Sequence, residues 1–281
     1  MCEFCVKHGE GEKWYLQAQN YAEDLLSDLR RRKFIHNFLK YPEKLRAEVD
    51  KLDDLNRLPA FVQAVVKPVF VNRAKKSHYG QVLPLEDVEK IFEFITSVTR
   101  LPCICRQISV GTEQRYCYAL SMVPPEDSQL GKIARSTGAD YLNGPHTGGL
   151  EELSKEEALI QFREMEKQGL FHSVWTFVTP FIGSICNCDH DCMAMKSTLK
   201  KSFPVMFRGE YVAEANADLC NGCRSCMRVC QFGAINYSLA NERVSIDPPR
   251  CFGCGICRAS CERDAITLND RSKVPAVADI W

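Results

Sequence analysis

The spacing of apolar side chains predicts helices first and a mixture of helices and strands later. Residues 14 to 40 carry apolar positions at steps of three and four residues, and this period predicts one long helix. A second helix is expected over residues 43 to 57, because Pro42 favours a helix start. A third is expected from Pro84 to about Thr99, before Leu101 and Pro102, since the residue before a proline avoids the helical region.

Further along the chain, local signals predict a helix followed by a strand. Ser154 and Glu157 match a capping box, and Gly169 is placed to end the helix that they begin. Residues 171 to 178 then have the composition of a strand. Residues 124 to 150 are rich in proline, glycine, aspartate and asparagine, so we expect loops with short elements there.

These patterns predict the α+β fold class, with four consecutive parts. We expect a helical N-terminal region at residues 1–83 and a cysteine-rich central domain of mixed α/β structure at residues 84–210. A small α+β domain follows at residues 211–269, and residues 270–281 form a tail.

One stretch of the N-terminal region is both apolar and basic. No acidic residue occurs between Asp54 and Glu86, whereas five lysine or arginine residues do. We interpret the stretch as a core helix followed by a solvated loop. Docking against an acidic partner subunit and peripheral contact with a membrane surface are the alternatives.

The composition favours a metal-binding protein. The chain of 281 residues carries 36 basic and 36 acidic side chains, and this balance gives no basis for nucleic-acid binding. The N-terminus is too polar for a secretory signal, and no apolar run is long enough for a transmembrane segment. Sixteen cysteines in such a chain indicate metal ligands in a reducing compartment, so we expect a cytoplasmic protein.

Two copies of one cysteine motif lie near the C-terminus, each with the spacing C-x2-C-x2-C-x3-C. Three closely spaced thiolates can wrap one face of a [4Fe–4S] cube, and the fourth thiolate reaches the other cube. The spacing therefore predicts two [4Fe–4S] clusters, because zinc ribbons and disulfide frameworks have other patterns. One cluster is assigned to Cys220, Cys223, Cys226 and Cys261, and the other to Cys251, Cys254, Cys257 and Cys230.

Residues 211–269 resemble the two-[4Fe–4S] bacterial-type ferredoxin domain through these two motifs. Gly222 and Gly253 repeat at the same offset as the cysteines, as do Ala234 and Ala265. The resemblance implies a ferredoxin-like fold and one-electron transfer. The family usually has proline directly after each fourth cysteine, whereas this chain has Gln231 and Glu262 at these positions.

Six further cysteines lie in the central domain, in two groups separated along the chain. They are Cys103, Cys105, Cys117, Cys186, Cys188 and Cys192. We expect the two groups to converge in the fold, and four of the six thiols to hold a third [4Fe–4S] cluster. A zinc ion held by a similar set, with His190 as a further ligand, and unligated thiols are the alternatives.

The central motifs also resemble a group of anaerobe ferredoxin-type proteins that carry a cysteine-rich domain before a two-cluster ferredoxin domain. The resemblance rests on the LPCICR sequence at residues 101–106, on Cys117, on the EEAL and QGLFH sequences at residues 156–159 and 168–172, and on the ICNC sequence at residues 185–188. It implies a redox function without a defined substrate. With Cys2 and Cys5, eight cysteines lie outside the two C-terminal motifs. Eight thiols are enough for two clusters with four ligands each, and the second of these would be a fourth cluster in the chain.

These observations predict an iron–sulfur electron-transfer protein, a subunit or dedicated partner of an anaerobic oxidoreductase, that relays single electrons through [4Fe–4S] clusters. The chain has no nucleophile elbow, zinc-protease, P-loop or dinucleotide motif. We therefore assign no catalytic residue and favour an electron-transfer component over a stand-alone enzyme. The alternatives are a catalytic reductase with a substrate site at a central cluster, and an iron–sulfur redox sensor.

Overall fold

The computed structural model describes residues 13–112, 114–143 and 149–280. Helices and strands alternate along these residues, and the α+β fold class is confirmed. Cys2 and Cys5, on which the expected fourth cluster depends, lie outside the described residues.

The helices and strands are numbered in chain order. The α-helices are α1 (Leu29–Lys40), α2 (Pro42–Asn56), α3 (Ala60–Ser77), α4 (Leu85–Phe94), α5 (Ile104–Ser109), α6 (Gln129–Ser136), α7 (Asp140–Asn143), α8 (Lys155–Lys167), α9 (Met193–Met195), α10 (Ser225–Val229) and α11 (Ile256–Ala259). The strands are β1 (Gly80–Leu83), β2 (Ser97–Leu101), β3 (Cys117–Ser121), β4 (Glu151–Leu153), β5 (Phe171–Thr176), β6 (Ile182–Cys188), β7 (Met206–Phe207), β8 (Tyr211–Ala215), β9 (Ile235–Ser238), β10 (Arg243–Ile246) and β11 (Ile266–Asp270).

The first seven strands form one sheet in the order β4-β2-β3-β6-β5-β1-β7. Neighbouring strands are antiparallel, except that β1 and β7 are parallel. The register places Cys117 opposite Cys186 and Phe171 opposite Cys188. Because side chains alternate in direction along a strand, these four residues face the same side of the sheet.

Helices cover both faces of this sheet. On one face, Phe92 of α4 and Phe162 of α8 are buried in a core that includes the strand residue Ile185. On the other face, Ile35 of α1 and Ile133 of α6 belong to a second core, to which Cys188 and Cys192 also belong. The central thiols therefore lie between the sheet and the second helical layer.

The long helix predicted over residues 14 to 40 is wrong in its first half. Three 3₁₀ turns, Trp14–Leu16, Ala18–Tyr21 and Glu23–Ser27, precede α1. Consecutive residues Trp14 and Tyr15 are both buried, so this segment contacts the domain with more than one side and does not present a single helical stripe. The helix starts only after Asp28, whose side chain accepts a hydrogen bond from a backbone N–H in the first turn.

The apolar and basic stretch forms α3, and the expectation of a core helix followed by a loop is wrong. The large side chains of Phe61, Val65 and Val69 are exposed, whereas Ala74 is the only α3 residue that is buried. The apolar side chains of α3 are distributed around its axis instead of forming one stripe. When one side of the helix packs on the protein, apolar side chains on the other side therefore remain exposed to water. Among the described residues, no helix combines the length and the apolar character that crossing a membrane requires.

The helix after Pro84 ends earlier than the sequence suggested. α4 stops at Phe94, and residues 97–101 form β2, the second strand from one edge of the sheet. Val98 and Thr99 are β-branched, and packing in a strand suits such side chains better than a helix end does.

The capping box at the start of α8 is confirmed. The Ser154 hydroxyl accepts a hydrogen bond from the Glu157 backbone N–H at 3.2 Å, and the Glu157 carboxylate accepts one from the Ser154 N–H at 2.9 Å. Gly169 follows the helix with φ of 86°, the left-handed conformation that commonly ends helices.

β1 lies before residue 84, the expected start of the central domain, yet it pairs with both β5 and β7. The sheet of the central domain thus includes strands from residue 80 to residue 207. The small C-terminal unit follows immediately, with β8 paired to β11 and β9 paired to β10. In the tail, Val277 is buried and Ile280 is partly exposed.

Buried polar side chains join the C-terminal unit to the central domain. Arg271 and Glu210 form an ion pair at 3.0 Å with both side chains almost completely buried. Glu210 also accepts a hydrogen bond from Gln81 of β1 at 2.9 Å. Tyr211 donates to the buried Asp87 of α4 at 3.0 Å. A charge so far from water is tolerated only while its partner is present, so these contacts hold the two parts in one arrangement.

We expect Arg271→Ala to lower the free energy of unfolding by about 3–5 kcal/mol, because it leaves the Glu210 carboxylate buried without its cation. The matched control is Lys273→Ala, which removes an exposed ion pair with Asp270 and should change stability by less than about 1 kcal/mol. Anaerobic urea unfolding followed by circular dichroism measures both. Equal effects of the two substitutions would show that the buried pair is not important for stability.

Candidate metal centres

Two small cavities in the C-terminal unit are each lined by four cysteines. The outer site is lined by Cys220, Cys223, Cys226 and Cys261. The inner site is lined by Cys230, Cys251, Cys254 and Cys257. The structure therefore brings the fourth cysteine of each motif together with the first three of the other, which is the grouping derived from the spacing.

The backbone of the two motifs repeats as closely as their sequences do. Gly222 and Gly253 both have φ of 71°, and a Cβ at either position would collide with a backbone carbonyl oxygen. A left-handed residue precedes each short helix, Arg224 before α10 and Gly255 before α11. These helices carry the chain from the third cysteine of one site to the fourth position at the other.

Backbone N–H groups point at the sulfur atoms. The Ala234 N–H lies 3.4 Å from Cys230 Sγ, and the Ala265 N–H lies 3.4 Å from Cys261 Sγ. Cys251 Sγ accepts from the N–H groups of Ala213 and Gly253, also at 3.4 Å. Such donors stabilise thiolate sulfur and help to set a cluster potential. The alanines that repeat in the sequence thus supply one N–H to each fourth cysteine.

The donor set of each site fits a [4Fe–4S] cluster. Four thiols surround a cavity with apolar walls in each case, and N–H donors surround the sulfurs. Across residues 13–112, 114–143 and 149–280, no set of three or more histidine, cysteine or carboxylate side chains is arranged around a single metal ion. A [4Fe–4S] cluster would fill such a cavity and take its four thiols as ligands.

The two sites differ in their exposure to solvent. In the outer site Cys223 is exposed, and hydrogen bonds from the Ser225 backbone and hydroxyl lower the pKa of its thiol. Each site has two buried cysteines, but the inner site has no exposed one, and burial raises the pKa of its Cys251 thiol. The outer site is thus accessible to another molecule, whereas the inner site lies against the rest of this chain.

Three phenylalanines connect the inner site to the central domain. Phe232 and Phe252 line the inner cavity and stack with ring centroids 4.2 Å apart. Phe171 of β5 packs on Phe232, with the two ring centroids 4.9 Å apart. Phe171 stands opposite Cys188 in the sheet. The Gln231 side chain donates to the Gly169 carbonyl at 2.9 Å, so a residue that replaces the usual proline also joins the two parts.

All six cysteines of the central domain come together on one face of the sheet. Their thiols lie next to one another in a series, with Cys117 and Cys186 at one end, where the two Sγ atoms are 3.2 Å apart. The series runs in the order Cys186, Cys117, Cys103, Cys105, Cys192 and Cys188. The two groups of the sequence therefore converge, while His190 is exposed at the surface.

A buried arginine lies beside these thiols. The Arg106 guanidinium is completely buried, lies 3.7 Å from Cys103 Sγ and pairs with Asp189 at 2.7 Å. Burial opposes its charge, but the nearby Cys103 and Asp189 raise the pKa of Arg106. Hydrogen bonds from the Cys105 and Cys117 thiols, with Arg106 nearby, hold the pKa of Cys103 well below its usual range. The site therefore favours negative charge at Cys103.

Sequence reasoning missed several residues around the central thiols. Arg106 was visible only as part of a motif. The Tyr141 hydroxyl is buried and has no hydrogen-bond partner among the described residues, and the thiols of Cys117 and Cys103 contribute to the high pKa of Tyr141, which is caused mainly by burial. Ser173 lies 3.5 Å from Cys188 Sγ and accepts a hydrogen bond from Trp175. The sequence indicates this pair only through spacing, because Ser173 and Trp175 are two residues apart on a strand and therefore face the same side of the sheet.

A cavity of about 80 Å³ adjoins the central thiols on the same face of the sheet. Three of the six cysteines, Cys105, Cys117 and Cys186, contribute to its wall. The rest of the wall is mostly apolar, with the aromatic side chains of His78 and Trp175 stacked 5.0 Å apart. Burial lowers the pKa of His78 to about 4, so its ring is neutral at physiological pH.

Comparison with known proteins identifies the class of the C-terminal unit. Residues 219–266 match the family described as a 4Fe-4S dicluster domain. The unit is therefore a ferredoxin-type domain for two [4Fe–4S] clusters.

Two kinds of curated relative match the same part of the chain. The archaeal-type glutamate synthase [NADPH] of Thermotoga maritima is 39% identical over 59 residues, which are 21% of this chain and 12% of that protein. The uncharacterized ferredoxin-like protein YdhY of Escherichia coli is 37% identical over 59 residues, 20% of this chain and 28% of that protein. The chain thus spans only a small part of the length of either relative.

We expect Gly253→Ala to remove the inner cluster, about four irons per chain. The added Cβ would collide with the carbonyl oxygen of Tyr211 in β8, so the cluster loop that contains Gly253 would have to change its shape. Gly222→Ala should have the same effect on the outer cluster, through Glu242. The control is Gly138→Ala, which has φ of 59° and open space around the added Cβ. It should cost only about 1–2 kcal/mol of backbone strain and no iron. Iron and acid-labile sulfide per chain are the measurements, and full iron in Gly253→Ala would contradict this account of the loop.

Proposed function

We propose that this protein relays single electrons between a protein partner at the outer site and the thiols of the central domain, through the inner site. The observation that carries the proposal is the graded burial of the three sites. Each C-terminal site has two buried cysteines, but only the outer site has an exposed one, Cys223, and the central thiols lie beneath a helical layer. A [4Fe–4S] cluster, when bound, accepts and releases one electron at a time.

The eight C-terminal cysteines are the ligands that we assign to the two clusters, in the grouping of the outer and inner sites. The stacked rings of Phe232 and Phe252, with Phe171 behind them, support a route from the inner site to Cys188, because they fill the space between the two with packed side chains. The polar contacts of Glu210, Asp87 and Gln231 support the same route, since they fix the separation of the two parts.

A third [4Fe–4S] cluster at the central thiols is part of the proposal. Six thiols that meet beside a buried cation favour a bound anionic group, because the guanidinium offsets the charge of several thiolates. Soft thiolate ligands favour iron–sulfur clusters or zinc, and the exposed position of His190 counts against its role as a zinc ligand. We propose that four of the six cysteines are the ligands.

The partner that we propose is a redox protein with an acidic contact surface, a component of an anaerobic cytoplasmic oxidoreductase. Arg224 and Arg263 are exposed and line the outer cavity, so a negative surface would be attracted to the accessible cluster. Arg258 does not share this role, because it pairs with Glu86 of the central domain. The glutamate synthase relative carries NADPH in its name, which agrees with a redox context.

A second candidate function is catalysis by reduction. The cavity beside Cys105, Cys117 and Cys186 is the observation that favours it, because a small molecule bound there would touch the central site. In that case the chain would be the reductase itself, and electrons entering at the outer site would end on the bound molecule.

We expect anaerobically purified protein to contain about twelve irons and twelve sulfides per chain, as three [4Fe–4S] clusters require. Chemical analysis of iron and sulfide gives the number, and EPR during reductive titration counts the centres that accept one electron. About eight irons would limit the clusters to the C-terminal unit and overturn the central one. About sixteen would bring Cys2 and Cys5 into a fourth cluster.

A matched pair of variants separates the sites. Cys254→Ser changes a thiol of the inner site, and Cys105→Ser changes one at the centre of the central series. Each should reduce the iron content by up to about four per chain, and the two losses should add. Partner reduction rates that stay at the wild-type value in both variants would contradict a relay through the inner site.

A further inference from the structure

The central domain has more thiols than one cluster uses. A [4Fe–4S] cluster takes four cysteines, and six meet here. Two thiols of the six are therefore available for other chemistry, if a cluster forms at this site as proposed above. The structure offers a physical basis for deciding which two they are.

Cys117 and Cys186 differ from the other four in how the backbone holds them. They stand directly opposite each other on the neighbouring antiparallel strands β3 and β6, and their Sγ atoms are 3.2 Å apart. Opposed residues on such strands have Cα atoms about 4.5–5.5 Å apart, within the roughly 4.4–6.8 Å that a disulfide spans. The strand ladder thus holds these two sulfurs side by side, close enough for a disulfide to form after a small movement.

The remaining four cysteines have the features of a cluster site. Cys103 and Cys192 are the N-cap residues of α5 and α9, and Cys188 ends β6, so their positions are at the ends of elements where a loop can wrap a cluster. The four are contiguous in the series of thiol contacts, in the order Cys103, Cys105, Cys192 and Cys188. The Arg106 guanidinium lies 3.7 Å from the Sγ atom of Cys103, one of these four.

We infer that Cys117 and Cys186 form a redox-active dithiol that converts reversibly to a cross-strand disulfide, beside a central cluster held by Cys103, Cys105, Cys188 and Cys192. In the reducing direction the Cys117–Cys186 sulfur–sulfur bond breaks, and each sulfur takes up one electron and one proton. The two electrons come from iron–sulfur carriers of the C-terminal type, which supply one each, and the two protons come from water. The pair thus collects single electrons into a two-electron product.

The cavity gives this dithiol access to a second reactant. Both Cys117 and Cys186 contribute to its wall, and the surrounding surface is mostly apolar. A small, uncharged disulfide is the chemical class that fits, because a thiolate attacks a disulfide sulfur and needs no further catalytic group. Exchange would form one mixed disulfide and release one thiol, after which the second cysteine of the pair displaces the other thiol.

Peptide mapping under anaerobic conditions tests the pair directly. The full chain is equilibrated with oxidised or with reduced dithiothreitol, alkylated, digested with trypsin and analysed without reduction. Cys117 is the only cysteine in the tryptic peptide 116–132, and Cys186 lies in peptide 168–196 with Cys188 and Cys192. We expect the linked pair of peptides in most chains after oxidation and in few after reduction, with fragment ions assigning the bond to Cys186. Absence of this link, or a link to Cys188 or Cys192, would overturn the inference.

Iron analysis of two double variants supplies the control. Cys117→Ser with Cys186→Ser should retain the iron content of the wild-type chain, whereas Cys103→Ser with Cys188→Ser should lose about four irons. Loss of iron from the first variant would make its cysteines ligands and refute the assignment. If the wild-type chain contains only about eight irons, the central cluster is refuted. The disulfide is tested separately, because the peptide map shows whether it forms.

Discussion

The hydrogen-bond ladder between β3, β6 and β5 determines which side chains meet in the central domain. Because side chains on paired strands stand opposite each other in a fixed register, a shift by one residue would turn every one of them to the other face. The observed register sets Cys117 against Cys186 and Phe171 against Cys188. One ladder therefore brings two thiols together and places an aromatic ring between a third thiol and the inner site of the ferredoxin-type domain.

Buried charge fixes the arrangement of the two parts around this ladder. Arg271, Glu210 and Asp87 are almost completely buried at the junction, and each has polar partners from a different segment. Apolar contact alone would allow the parts to slide, since it has no direction. Hydrogen bonds to buried charges do have direction, and they keep the inner site at one distance from the central thiols.

The C-terminal unit was largely predictable from the sequence, whereas the central site was predictable only in part. The two cysteine motifs are local and repeat, and Gly222, Gly253, Ala234 and Ala265 repeat with them, so spacing alone indicated the dicluster domain and its grouping of thiols. The convergence of the central cysteines depends on pairing between β3 and β6, which are far apart in sequence, and no local pattern specifies such a register. The same limit explains Trp14 and Tyr15, whose burial on another domain replaces the predicted helix with 3₁₀ turns.

The difference between the outer and inner sites gives the proposed relay a direction in space. A cluster with an exposed ligand such as Cys223 is accessible to another protein, and its charge is screened by water. A cluster near Cys251 and Phe252 is surrounded by protein, where N–H donors and the nearby Arg208 act on it in a lower dielectric. Exchange with a partner therefore suits the outer site, and delivery to a chemistry that must exclude water suits the inner one. The cavity beside Cys105, Cys117 and Cys186 is likewise lined mostly by apolar side chains, so these central thiols share the water-poor surroundings of the inner site.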